Sequence, residues 1–180
     1  MSKNTIVGFL DESSPQTTAN TQRLWSFEKK PIIKNTSKIR ANTFGIYSPN
    51  GNSIITFRSR SKKEDVCEVL SEFVDANPNK RIILILDNFS SHRSKFVREF
   101  AEKHNIILVF LPPYSPDLNP IEQIWRAIKR EISKIFIQDL RHMMAIIKEE
   151  FYDRVMRKSY IFGWAKKFLS RLYYFKMLCN

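Results

Sequence analysis

Three acids in this 180-residue chain stand where chemistry is easy to build. Asp11 follows the apolar run at residues 5–10. Asp87 follows the run at 81–86. Glu122 opens a helical pattern soon after the run at 106–111. The carboxyl ends of strands are where α/β sheets place their sites. A charge at the end of a buried strand is costly unless it is paired or binds a cation. Three carboxylates brought together repel one another and titrate as a coupled set. A hard divalent cation removes both problems, since Mg²⁺ prefers a few carboxylate oxygens plus water and substrate phosphate. Two such ions about 4 Å apart can activate a water and stabilise the leaving oxygen of a phosphodiester. Each acid also has a plainer use. Asp11 and Asp87 could end strands by turning into solvent. Glu122 could close an Asn-x-x-Glu capping box with Asn119 as N-cap and Pro120 at the first helical position, or pair with Arg126 one turn later.

The elements that must position these acids can be read from periodicity. Residues 5–10 are a β-leaning run ending at Asp11-Glu12. Residues 13–37 are polar and read as a long excursion, of the kind that is usually functional or mobile. Strands are expected at 39–47 and 53–57. Ser48-Pro49-Asn50-Gly51-Asn52 between them is hairpin chemistry that tolerates positive φ. Val66, Val69, Leu70, Phe73 and Val74 recur at helical spacing within 62–75, and Asn77-Pro78 stops that helix. Residues 81–86 and 106–111 read as strands buried on both faces. A helix at 94–104 should turn Phe96, Val97 and Phe100 inward. A proline-rich turn at 112–120 leads to helices at 120–132, 138–151 and 159–178. Strands interleaved with helices after a hairpin imply an α/β fold, a mixed sheet flanked by helices.

Composition sets the partners. The chain carries 30 Lys+Arg against 18 Asp+Glu, a formal charge of +12. From Gln123 onward the balance is 13 to 5, so the C-terminal third is the basic part. Such an excess points to a polyanion. Arg126, Lys129, Arg130, Lys134, Arg141, Lys166 and Lys167 are candidates for phosphate contact, which gives affinity without sequence information. With 14 Phe, 6 Tyr and 3 Trp the chain is no disordered tail. No apolar run reaches the length of a membrane span, and Met1–Leu10 lacks a signal-peptide cleavage pattern. Two cysteines, Cys67 and Cys179, suit a reducing cytosol.

Leu86-Asp87-Asn88, His92, then Leu111-Pro112-Pro113-Tyr114-Ser115-Pro116-Asp117-Leu118-Asn119-Pro120-Ile121-Glu122 and Trp125 resemble the catalytic core of DDE transposases. The branch is that of insertion sequences related to mariner elements. The 34 residues between Asp87 and Glu122 agree with that branch, and Phe9-Leu10-Asp11-Glu12-Ser13 looks like its first acid. The resemblance spans roughly residues 5–135 and is weakest in the 13–37 excursion. It implies a ribonuclease-H-like fold, with a catalytic domain at 1–135 and a basic helical extension of the same domain at 136–180. It implies Mg²⁺ or Mn²⁺, two ions, held by Asp11, Asp87 and Glu122. Family members hydrolyse double-stranded DNA at element ends and then join the freed 3′-hydroxyl to target DNA, usually at a TA step, working as homodimers. In mariner-type enzymes the excursion holds a loop that clamps the partner subunit. The prolines read as rigid scaffolding that presents Glu122. Packing is preferred over base stacking for Tyr114 and Trp125. His92 either contacts DNA phosphate or water near the metals, or serves a helix start or packing. Asn88 either orients Asp87 or bonds the backbone.

One departure stands out. Family members usually carry an N-terminal helix-turn-helix region that reads the terminal repeats. This chain begins almost at the first catalytic strand, so the expectation is either a transposase split between two reading frames, with a separate helix-turn-helix polypeptide supplying end recognition, or a separately expressed or truncated catalytic half. The competing readings are a non-catalytic DNA-binding remnant or regulator, and a general nuclease or ribonuclease H. A membrane-surface role is the weakest option. The expected location is the cytoplasm, at the nucleoid.

Overall fold

A computed structural model describes residues 4–17, 35–157 and 161–168. In chain order the elements are β1 (Thr5–Ser13), β2 (Thr43–Tyr47), β3 (Ile54–Phe57), α1 (Lys63–Ala76), β4 (Arg81–Leu86), α2 (Lys95–Lys103), β5 (Ile106–Phe110), a 3-10 turn (Pro116–Leu118), α3 (Ile121–Ile132) and α4 (Leu140–Val155). Residues 161–168 are also helical. The strands form one sheet in the order β3-β2-β1-β4-β5. The β1–β2 and β2–β3 pairs are antiparallel, and β1–β4 and β4–β5 are parallel. This is the expected mixed sheet with flanking helices.

The pleat sorts side chains by parity. Ile6 and Leu10 of β1, Phe44 and Ile46 of β2, and Ile82, Leu84 and Leu86 of β4 bury against Val66, Leu70 and Phe73 of α1 and Val97 and Ala101 of α2. The alternate residues Phe9, Tyr47 and Ile55 bury against Ile121, Ile124, Trp125 and Ile128 of α3 and Met143, Ile147 and Phe151 of α4.

Several expectations need correction. Strand β1 does not stop before Asp11, because antiparallel pairing with β2 carries it to Ser13: Asp11 opposes Gly45, Glu12 opposes Phe44 and Ser13 opposes Thr43. Strand β2 starts only at Thr43, since the chain just before it bonds back to the start of the excursion, through Thr17 to Ile39 and Ala41 to Pro15. The β2–β3 hairpin uses no positive φ at Asn50 or Gly51. Side chains close it instead. Asn50 Oδ1 accepts from Val7 N–H at 2.9 Å, and Asn52 Nδ2 donates to the Ala76 carbonyl at 2.7 Å. Phe96 is 47% exposed, with the Lys63 ammonium over its ring, while Val97 is buried. Strand β5 is an edge strand with one open face, where Ile107 and Val109 are 40% and 42% exposed. Of the 13–37 excursion, residues 18–34 lie outside the described residues, as do 158–160 and 169–180 of the last expected helix.

Candidate active site

The sheet register brings the first two acids together. Phe9 of β1 pairs with Ile85 of β4. Two residues further along each strand come Asp11 and Asp87, at the same end of the sheet and with the parity of the α3 face. Neighbouring strands lie about 4.8 Å apart, so the two carboxylates share one strand end. The third acid arrives from α3, whose Trp125 packs across Gly45, the residue opposite Asp11. A Cβ on Gly45 would lie 2.8 Å from the Trp125 ring, so the absent side chain is what allows α3 to sit this close. Asp11, Asp87 and Glu122 then line one cleft of about 480 Å³ with Asn88, Phe89, Asn119 and the turn Leu111–Pro116. A larger cleft of about 570 Å³ lies between the β3 edge and α4. It has no carboxylate in its lining, and its Arg58 is tied to Glu68 and Glu72. The chemistry therefore belongs to the smaller one.

Neither plainer use of Glu122 is seen. Helix α3 takes Pro120 as its N-cap residue with no side-chain cap. Asn119 is buried, and its Nδ2 donates to the Leu10 carbonyl at 3.0 Å, tying the proline turn to β1 beside Asp11. Arg126 pairs with Asp117 at 3.2 Å rather than with Glu122. Among the described residues the Glu122 carboxylate has no hydrogen bond or ion pair, and it faces the cleft.

The electrostatics match a crowded acid site. Burial, then the nearby Glu122 and Asp87 charges, push the Asp11 carboxyl up to about 7; the Glu12 backbone N–H and the Trp125 indole oppose this. The Trp125 Nε1 is buried without a hydrogen bond of good geometry, so its pull is the smallest of these effects. Asp87 goes the other way. The hydrogen bond from His92 holds its pKa below the ordinary value, against the opposing effect of burial. Burial alone would depress the His92 imidazole, but its bonds to Asp87 and Glu12 outweigh this and hold it up at about 9. Among the described residues no three His, Cys, Asp or Glu side chains stand close enough to form a ready-made metal cage. The donor set nevertheless fits a hard divalent cation: it is all oxygen, it gathers where two strands end beside a helix start, and half-buried Asp11 is raised by loss of solvent and then by its acidic neighbours.

The remaining expected residues separate. Asn88 bonds the backbone, its Nδ2 donating to the Leu111 carbonyl and so fixing the end of β4 to the end of β5. His92 is 2% exposed and meets two carboxylates, so it does not present itself to DNA. Trp125 is core, as expected. Tyr114 is not packed: it is wholly exposed at the cleft rim, with φ 56°. Arg126, Lys129 and Arg130 lie exposed on α3, with Lys134 just beyond and paired to Glu131 at 2.8 Å. Arg141, Lys166 and Lys167 are also exposed. Glu12, Asn119 and Gly45 carry weight that the sequence reading missed. A strict period of two through Asp11-Glu12 would have separated those two acids onto opposite faces.

Comparison with known proteins completes the picture. The chain spans 91% of its length against the Mos1 transposase solved as a paired-end complex with the left transposon end, at TM-score 0.66 and 19% identity. Against the mariner Mos1 paired-end complex with Mg the values are 92%, 0.66 and 19%. At those identities the likeness is one of fold, and the fold is ribonuclease-H-like. Residues 6–144 match the sequence pattern of the DDE superfamily endonucleases, and the chain belongs to that family. It is 30% identical over 70 residues to the transposable element Tcb2 transposase of Caenorhabditis briggsae. That stretch is 38% of this chain and 26% of the relative. The chain likewise covers 55% of the Mos1 chain in both complexes.

Proposed function

We propose that this chain is the catalytic part of a DNA transposase, and that Asp11, Asp87 and Glu122 form its one reaction centre. The observation that carries this is the convergence of three acids from β1, the end of β4 and α3 on one cleft, with half-buried Asp11 raised first by loss of solvent and then by the charges of the other two. In this reading the three hold two Mg²⁺ or Mn²⁺ ions. Bound there, the ions would supply charge neutralisation at the phosphate and activation of the attacking oxygen.

The chain's own residues do the positioning. Asp11 and Asp87 are fixed by adjacent strands, and Glu122 by a helix locked onto the sheet through Trp125 and Gly45. Asn119 and Asn88 pin the two ends of the proline turn, so the cleft wall is rigid. A rigid site accelerates phosphoryl transfer chiefly by placement and by charges aimed at the reacting group. Hydrolysis would join a water oxygen to phosphorus and break the bond to the 3′-oxygen, leaving a 3′-hydroxyl. Strand transfer repeats this with that hydroxyl attacking a target phosphate. Double-stranded DNA, element end and target, is the substrate class, and the exposed cations of α3 would contact its backbone. A second copy of the chain is the partner the reading calls for, with recognition of the element end supplied by a helix-turn-helix region. It treats residues 136–180 as an extension of the same domain and places the protein at the nucleoid.

The test is a substrate comparison in Mn²⁺, with a DNA duplex, an RNA–DNA hybrid and a pre-cut end with a free 3′-hydroxyl plus plasmid target. Cleavage of DNA over hybrid, with joining of the pre-cut end, is expected. Preference for the hybrid would make the protein a ribonuclease H. DNA binding without either reaction would favour the remnant reading.

A further inference from the structure

We infer that His92 and Glu12 form a positioning chain that fixes Asp87 so that one of its oxygens, Oδ2, is kept for the cation. This rests on the metal-centre reading above and deepens it.

The geometry is specific. His92 is almost fully buried between the end of β4 and the end of β1. Its Nδ1 lies 2.7 Å from Asp87 Oδ1, and its Nε2 lies 3.3 Å from Glu12 Oε1. The Phe89 backbone N–H donates to the same Asp87 Oδ1 at 3.0 Å. Both anchors therefore fall on one oxygen. Among the described residues Oδ2 has no partner, and Asp87 lines the cleft. Glu12 holds the far side of the ring. It is the residue after Asp11, and the pleat turns it to the opposite face. Consecutive acids of one strand are thus divided: Asp11 goes to the cleft and Glu12 braces the imidazole.

A carboxylate free to rotate can offer either oxygen, or both, to an ion. One held at Oδ1 offers a single oxygen in a set place. Groups that orient metal ligands in this way typically govern affinity by about 10- to 100-fold. His92 is a positioning residue in this account, and touches neither substrate nor cation.

The experiment is calorimetric titration of the whole chain with Mn²⁺ alone, alongside thermal melts. His92→Ala is expected to weaken Mn²⁺ binding by about 10- to 100-fold. His92→Asn should recover most of that, because an Asn amide nitrogen can stand where Nδ1 stands. His92→Gln should recover less, because its amide reaches the Nε2 position instead. If only bulk mattered, Gln would rescue at least as well as Asn. Equal Mn²⁺ affinity in His92→Ala and wild type, or better rescue by Gln, would overturn the inference. If His92→Ala loses its cooperative melt, Glu12→Ala and Glu12→Gln carry the test. Glu12→Ala should weaken binding and Glu12→Gln should weaken it less, since an amide oxygen still accepts from Nε2. Unchanged affinity in both would again overturn it. Asp87→Asn separates the two levels of failure. If Asp87→Asn loses Mn²⁺ while the His92 and Glu12 variants keep it, only the positioning chain falls. If wild type itself shows no saturable Mn²⁺ uptake, the metal centre falls and the chain with it.

Discussion

The two faces of the sheet are built for different ends. The face under α1 and α2 is closed: Leu10, Phe44, Leu84 and Leu86 are fully buried there with Leu70 and Phe73. The face under α3 and α4 is covered over β1–β3 and left open at β5, where Ile107 and Val109 are exposed. The acids of the candidate centre have the parity of that second face. Where packing is complete, a carboxylate has no place. Where a helix covers only part of the sheet, the strand ends beside it can hold charge at the rim of a core. Both faces carry a buried core; only the second also has an open rim, and the chemistry sits there.

The sharpest break between the faces is expected from core truncation. Phe73→Ala should cost about 3–5 kcal/mol, against less than about 0.5 kcal/mol for Val109→Ala, read by denaturant unfolding. Equal losses would remove the distinction.

The next effect concerns charge and pH. A raised carboxyl pKa means that the folded chain keeps a proton the unfolded chain has lost. Asp11, at about 7, should therefore make the metal-free protein less stable as pH rises from about 4 to 7. A cation competes with that proton, so Mn²⁺ affinity should fall about tenfold per pH unit below 7. Mn²⁺ should accordingly raise the melting temperature more at pH 8 than at pH 5.5. His92, held at about 9, contributes stability that is fully present below about 6.5 and lost as pH rises through 9. In Asp11→Asn the slope of Mn²⁺ affinity below pH 7 should flatten.

The two tight glycines give a smaller, more discriminating contrast. A Cβ on Gly8 would meet Ile46 at 2.9 Å on the closed face, and one on Gly45 would meet Trp125 at 2.8 Å on the other. Overpacking of this kind costs about 1–3 kcal/mol. Both alanine variants should lose stability to that extent. Gly45→Ala should lose more DNA cleavage than Gly8→Ala, because α3 carries Glu122. Parallel losses of cleavage would show that Glu122 placement does not depend on that contact.

The smallest expected effect is at the rim. Tyr114 holds a left-handed backbone that disfavours a side chain by about 1–2 kcal/mol. Tyr114→Gly should stabilise the fold by about 1 kcal/mol in a melt, while weakening binding of DNA ends. A strained, fully exposed aromatic beside the carboxylates is costly in stability and suited to contact with a ligand. Loss of stability in that variant would show that the ring packs in solution.

The elements with a strong period were legible. Residues 81–86 match β4 end for end, and Val66, Leu70 and Phe73 are buried as helical spacing required. The three acids could be picked out by type and position; the Phe9–Ile85 register brings Asp11 and Asp87 to one strand end, and the packing of α3 brings Glu122 to the same cleft. What stayed hidden depends on contacts between distant segments. Apolar composition made residues 106–111 look buried on both faces, but only the helix layout reveals an open edge. Asn50-Gly51 suggested positive φ, but long-range side-chain bonds closed the turn without it. Asn119 looked like a helix cap, yet its amide reaches the Leu10 carbonyl, 109 positions away. The use of Glu12 needed His92, 80 positions on, to be in place.

The central claim is that the three carboxylates form one metal-dependent centre that cuts DNA. Its most direct test is nicking of supercoiled plasmid in Mn²⁺ at low salt, with wild type beside Asp11→Asn, Asp87→Asn and Glu122→Gln. The account predicts nicking by wild type that EDTA abolishes, and a loss of about 10³-fold or more in each variant. Nicking that survives in any one of the three folded variants would contradict a single centre built from all of them.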